Sequence, residues 1–318
     1  MGMSRRCLLL AAAAVSFAGL ANAQGYPNRA IRIIVPYPAG GALDLTARLL
    51  GEKLGKDLGQ TIVIENRSGA NGTVGLQAVY QAEPDGYTLA LTGASNIAAG
   101  PHLQQMSFDV QKMRHITRLV RTPLTVAVRK DLPVQDLKEF IELAKKQELR
   151  YSSAGVGSSH HLTAEMFRQK TGVQLQHVPY RGSNPAVTDL IAGVVDASFG
   201  DPTLIQLAKS GQVRAIAVTS AQRWSLVPDV PTVSETVPGF VAENWYGLAA
   251  PPETPDTVVN LLHDKIVKAM EDPDTRKKFI EAGLEPATMP VKEFNDYVRS
   301  DSAGWGEVVQ RGNIKLAN

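Results

Sequence analysis

The run from Ala30 to Val35 (AIRIIV) is dense in β-branched residues and stops at Pro36, the pattern of a buried strand. Beyond Gly40-Gly41, Leu43, Ala47, Leu50, Leu54 and Leu58 recur at helical spacing as far as Gly59. Thr61 to Glu65 (TIVIE) predicts a second strand, 73–82 a helix, and 87–91 (YTLAL) a third strand after the turn Pro84-Asp85-Gly86. Strands alternating with helices at this spacing predict parallel βαβ units. The alternation restarts at Leu124 to Val128, followed by a helix over 136–146, a strand over 149–152 and a helix over 159–171. Strands at 176–179, 197–199 and 213–218 bracket two more helices. The stretch 220–239, with Pro228, Pro231 and Pro238, reads as loop; a strand over 245–250 and three helical stretches complete the chain. The restart near residue 124 predicts an α/β protein of two lobes.

The N-terminus changes the picture of where the chain works. Arg5 and Arg6 precede an apolar run from Cys7 to Leu20, and Ala21-Asn22-Ala23 follows as a small-x-small processing site. That is a secretory leader with cleavage after Ala23, too short in its apolar core for the roughly 20 residues of a membrane helix. Ser4-Arg5-Arg6 also fits a twin-arginine leader. The only cysteine, Cys7, lies inside the leader, so the processed protein has no thiol and depends on its packed core. The leader carries two arginines and no acid, which leaves 31 basic against 31 acidic side chains. A neutral balance without basic tracts argues against nucleic acid as a partner. The reading is a periplasmic protein, expected to be a monomer.

One local design appears in both halves. Ile33 to Val35 runs into Pro36-Tyr37-Pro38-Ala39-Gly40-Gly41 and a helix with Asp44 in its first turn. Leu149 to Ser152 runs into Ser153-Ala154-Gly155-Val156-Gly157-Ser158-Ser159 and another helix. Glycine lets backbone N–H groups converge on one anion, and the helix dipole favours negative charge there. Open α/β sheets bind ligands beyond the carboxyl ends of their strands, so the crevice between lobes is the expected place. Neither turn holds a lysine for a polyphosphate, and His160 occupies the third glycine position of a dinucleotide fingerprint. A carboxylate fits better than a nucleotide, with no cofactor and no metal implied. Plain tight connections use the same glycines, so the turns alone leave both readings open. His160, His161 and Glu165 near Ser158 and Ser159 invite a hydrolase or metal reading. No Gly-x-Ser-x-Gly or His-Glu-x-x-His supports it, and adjacent histidines face different sides of a helix.

Together, Pro36-Tyr-Pro-Ala-Gly-Gly41 with Asp44, Glu65-Asn-Arg67-x-Gly69-Ala-x-Gly72, Pro84-Asp-Gly-Tyr-Thr88, Gly155-Val-Gly-Ser-Ser159, His177-Val-Pro-Tyr-Arg-Gly182 and Pro228-Asp-Val-Pro-Thr232 resemble the Bug/TctC family. These are the extracytoplasmic receptors of tripartite tricarboxylate transporters. The resemblance implies a type II periplasmic-binding-protein (Venus flytrap) fold, each lobe a mainly parallel sheet flanked by helices. Crossings are expected near Leu119 to Pro123 and Asn244 to Tyr246, giving a first lobe of 24–122 plus 245–318 and a second of 123–244. It further implies a small carboxylate ligand (a di- or tricarboxylate, an aromatic acid or an amino acid), no catalysis, and a large and a small membrane subunit as partners; a sensor docking on a membrane signalling protein would share the fold. Carried over onto this chain, the ligand contacts are Tyr37, Ala39, Gly40 and Gly41 on one side and Gly157, Ser158 and Ser159 on the other. Asp44 is expected to position the first loop and Ser95 to meet the ligand's distal end. Tyr180-Arg181-Gly182 offers a cation, or an arginine paired with a neighbouring acid. Trp245, at the returning crossing, is a hinge, a ligand-facing ring or core. Where many relatives have Phe-Asp and a polar stretch, this chain has Phe199-Gly200-Asp201-Pro202. Asp201 either enters the cleft and favours a ligand bearing a cationic group, or caps the helix that Pro202 begins.

Overall fold

The computed structural model describes residues 25–224 and 226–316. The expected leader, its candidate twin-arginine motif, Cys7 and the expected cleavage site after Ala23 lie outside the described residues. Strand β1 (Ile31–Val35), helix α1 (Ala42–Leu58), β2 (Ile62–Asn66), α2 (Thr73–Tyr80), β3 (Thr88–Gly93) and β4 (Arg114–Pro123) open the first lobe. The second lobe comprises β5 (Thr125–Arg129), α3 (Leu137–Lys146), β6 (Leu149–Ser153), α4 (Ser159–Thr171), β7 (Leu175–Pro179), α5 (Ser183–Ile191), β8 (Ala197–Gly200), α6 (Thr203–Lys209) and β9 (Val213–Val218). The chain returns through β10 (Glu243–Ala250), α7 (Asp256–Glu271), α8 (Pro273–Glu281), β11 (Glu285–Pro286) and α9 (Val291–Gly312).

Two sheets result, ordered β11-β4-β10-β3-β1-β2 and β7-β6-β8-β5-β9. The βαβ alternation gives the expected parallel pairs among β1, β2 and β3 and among β6, β7 and β8. Both sheets are nevertheless mixed. β10 lies antiparallel between β3 and β4, and β5 antiparallel between β8 and β9, because each enters its sheet directly from the other lobe. The ten-residue β4 escapes a hydrophobicity reading because arginines interrupt it. Those charges are spent locally: Arg118 Nε donates to the Ala287 carbonyl at 2.8 Å, and Arg121 pairs with Glu285 and Glu243.

Leu124 alone separates β4 from β5, and Thr219 ties that crossing to the returning one. Leu124 N–H donates to Thr219 Oγ1 at 2.8 Å and Thr219 N–H to the Leu124 carbonyl at 2.9 Å. On its other side, Thr219 accepts from Ala242 N–H at 3.0 Å, and its hydroxyl donates to the Ala242 carbonyl. The threonine is fully buried and joins the two crossings into one hydrogen-bonded strap. Behind them, Trp245, Phe294, Val298 and Trp305 share one apolar cluster with Val126 and Phe199 of the second sheet and Phe167 of α4. No helix among the described residues is long and apolar enough to cross a membrane.

Candidate ligand-binding site

The strand ends of both sheets open on one cavity of about 1160 Å³. On the first wall, β1 ends at Pro36 and the chain turns through Gly40, whose φ of +89° favours glycine. Gly41 is extended and no side chain caps the helix it introduces. The first-turn residues Ala42, Leu43 and Asp44 line the cavity, so their orphan N–H groups border it. Asp44, 4 % exposed, shapes this loop from behind. It accepts from Gly40 N–H at 2.9 Å, from Arg48 through both oxygens at 2.9 Å, and from Asn66 Nδ2 at 2.9 Å. The Asn66 amide also donates to the Tyr37 carbonyl at 3.1 Å. The Arg48 hydrogen bonds, helped by Gly40 and Asn66 against burial, hold the Asp44 pKa down at about 2. Tyr37 Oη lies 3.2 Å from Ser95 Oγ and 3.2 Å from Asn71 Oδ1, which brings the β3 end into the same wall.

The opposite wall is built from the ends of β6, β7 and β8. Ala154, Ser159, His160, Arg181, Ser183 and Asp201 line it. Gly182, at φ +113°, leads into α5 without a side-chain cap. Two expected contacts of this wall lie off the cavity. Gly157 spends its N–H on His161 Nδ1 at 3.0 Å, and a Cβ there would meet Leu103 and Leu316. Ser158 caps α4, accepting from His161 N–H at 3.3 Å and donating to the Gly155 carbonyl at 2.7 Å. Tyr180 likewise turns away, its hydroxyl donating to Asp189 at 2.6 Å. Trp245 is core: it is fully buried and its indole donates to Asp301 at 2.7 Å. Its strand neighbours Asn244 and Tyr246, on the other face of β10, line the cavity in its place. Asp201 does not cap α6. Its carboxylate takes His160 Nε2 at 3.1 Å and Ser183 Oγ at 2.7 Å.

The hydrolase constellation is dispersed by these contacts. His160 turns to Asp201, Glu165 receives Tyr151 and Arg168, and His161 stacks on His177 with ring centroids 3.9 Å apart. His177 in turn stacks on Tyr151 and meets Ser153 Oγ at 2.6 Å, so a column of rings underlies the second glycine turn. Burial, reinforced by the neighbouring His161, lowers the His177 pKa from 6.5 to about 3. The unfolded chain therefore binds a proton near pH 6.5 that the folded chain refuses, and stability is lost as pH falls from about 6.5 toward 3. Thermal midpoints of the wild type should drop from pH 7 to pH 5, and His177→Asn should flatten part of that slope. Equal slopes would contradict this placement.

Two lobes joined by paired crossings, with a cavity bordered by uncapped helix starts from each, define a solute-binding receptor. Comparison with known proteins agrees. Residues 46–314 match the model of the tripartite tricarboxylate transporter family receptor, TctC, and the chain belongs to that family. It is 33% identical to Protein BugT of Bordetella pertussis over 312 residues, 95% of this chain and 96% of BugT. Among solved structures, Rpa4515 of R. palustris with adipate is 31% identical at a TM-score of 0.79, covering 92% of this chain and 100% of that one. MatC of Rhodopseudomonas palustris with bound malate is 28% identical at a TM-score of 0.73, covering 89% and 100%.

Proposed function

We propose that this chain captures a small organic acid between its lobes and passes it, unchanged, to the large and small membrane subunits of a tripartite transporter. The carrying observation is the pair of uncapped helix starts, α1 on one wall and α5 on the other, that border a single cavity. Backbone N–H groups from Ala42 to Asp44, the hydroxyls of Tyr37, Ser95 and Ser159, and the side chain of Arg181 would hold the ligand. Arg181 and Lys209 line the cavity and pair with no acid among the described residues, which favours an anionic guest. Four or five hydrogen bonds to a carboxylate at about 1.5–3 kcal/mol each, less ordering costs, support roughly −8 kcal/mol, or micromolar affinity. The adipate and malate of the two R. palustris relatives are acids of this size. We assign residues 24–122 with 245–318 to one lobe and 123–244 to the other, hinged at the Thr219 strap, so that ligand closes the cleft. The protein would act as a periplasmic monomer once its leader is removed. A thermal-shift screen of the processed chain against organic acids tests this. At a hundredfold excess over Kd, a bound acid adds about 2.7 kcal/mol and raises the midpoint, whereas no shift with any acid would overturn the proposal.

A further inference from the structure

The cavity walls carry three carboxylates, from Asp44, Asp201 and Glu281, and they are neutralised differently. Asp44 is locked by Arg48, and Glu281 lies 3.9 Å from Lys277 on its own helix. Among the described residues Asp201 has no lysine or arginine within ion-pair distance. Its partners are an imidazole and a hydroxyl, hydrogen-bond donors that are not permanent cations. Although both oxygens are engaged, its side chain keeps 38% of its surface accessible, and it lines the cavity. Each carboxylate oxygen has a second lone pair to offer. Burial alone would raise this carboxyl's pKa, but His160 and the Ser183 hydroxyl hold it at about 2, so it is ionised at neutral pH.

Asn244 and Tyr246 lie on the neighbouring part of the wall. Asn244 Nδ2 donates to Tyr246 Oη at 3.2 Å, which leaves Asn244 Oδ1 buried and without a hydrogen-bond partner. Burial, then the nearby Asp201 carboxylate and Tyr37, push the Tyr246 phenol's pKa up. An ionised carboxylate facing a desolvated guest is costly unless the guest offers it a donor. A purely anionic ligand supplies no donor here and would be repelled by Asp201.

Building on the carboxylate reading, we propose that the ligand is an amino-carboxylate whose protonated nitrogen sits against Asp201. Its carboxylate takes the α1 helix start. Asp201 is then a specificity residue, and the chain prefers amino acids to the same acids lacking nitrogen.

The test is isothermal titration of the processed wild-type protein and Asp201→Asn with matched pairs: aspartate and succinate, glutamate and glutarate, γ-aminobutyrate and butyrate. Asparagine keeps the size and hydrogen-bonding shape of the side chain, and unchanged thermal midpoints certify the fold. In the wild type the amino member of at least one pair should bind tenfold or more tightly than its partner, and Asp201→Asn should reduce that ratio at least tenfold. Tighter binding of the nitrogen-free acids by the wild type, or an unchanged ratio in Asp201→Asn, would overturn the amino-carboxylate assignment while leaving the carboxylate receptor standing. Failure of every acid to bind would overturn both.

Discussion

Replacing Asp44 with alanine is expected to weaken acid binding about tenfold or more and to lower stability by about 1–3 kcal/mol. The side chain never needs to touch ligand for this to follow. It anchors Gly40 N–H, Arg48 and Asn66 at once, and Asn66 in turn fixes the Tyr37 carbonyl. Removing it frees the loop that presents the α1 N–H groups and leaves the Asn66 amide short of a partner. Asp44→Asn should fall between wild type and alanine, because an amide oxygen still accepts from Gly40 but cannot pair with Arg48 as an ion. The folded pKa of Asp44 is depressed to about 2 from 3.8, so its stabilisation is complete above about pH 4 and disappears only as pH falls through 2. Binding should accordingly show no loss traceable to Asp44 between pH 5 and pH 8. Calorimetric titration of the two variants checks the affinities, and undiminished binding by Asp44→Ala would remove the loop from the account.

Trp245→Ala carries the largest expected stability loss, about 3–5 kcal/mol by urea denaturation. The ring is fully buried and meets Phe294 edge-on at 5.3 Å and Tyr297 at 5.9 Å. Its N–H also serves Asp301, whose pKa burial raises to about 6 even though that hydrogen bond opposes the rise. Alanine therefore opens a cavity and strips a donor from a buried acid in one step. Trp245→Phe keeps most of the packing and should cost only about 1–3 kcal/mol. Ligand affinity should fall in the alanine variant as well, because Asn244 and Tyr246 on the same strand line the cavity. A loss below about 1 kcal/mol would mean that the strand is not held by this ring.

Local periodicity was sufficient for most elements: Leu43, Ala47, Leu50, Leu54 and Leu58 mark α1, and the β-branched run at 31–35 marks β1. It failed at β4, where Arg114, Arg118 and Arg121 break the apolar pattern because their partners come from β10, β11 and the Thr254 and Asp256 region, far along the chain. The first glycine turn was legible because the cavity lining it supplies follows from Gly40 and Gly41 alone. The second was legible only in outline. Which of its residues face the cavity depends on the ring column of His161, His177 and Tyr151, a packing choice that no local signal contains. Asn244 and Tyr246 were within reach of sequence reasoning, since period-two alternation puts both neighbours of a buried Trp245 on the opposite face. Ser183 was not, because its link to Asp201 spans two separate strand ends.

Hydrogen exchange measured by mass spectrometry, with and without a saturating acid found in the thermal screen, tests most directly whether both lobes grip the guest. The amides of 39–45 and those of 182–186 should slow together on binding, one set from each side of the cleft. Protection confined to a single lobe, or to surfaces away from the cavity, would contradict a receptor that closes around its ligand.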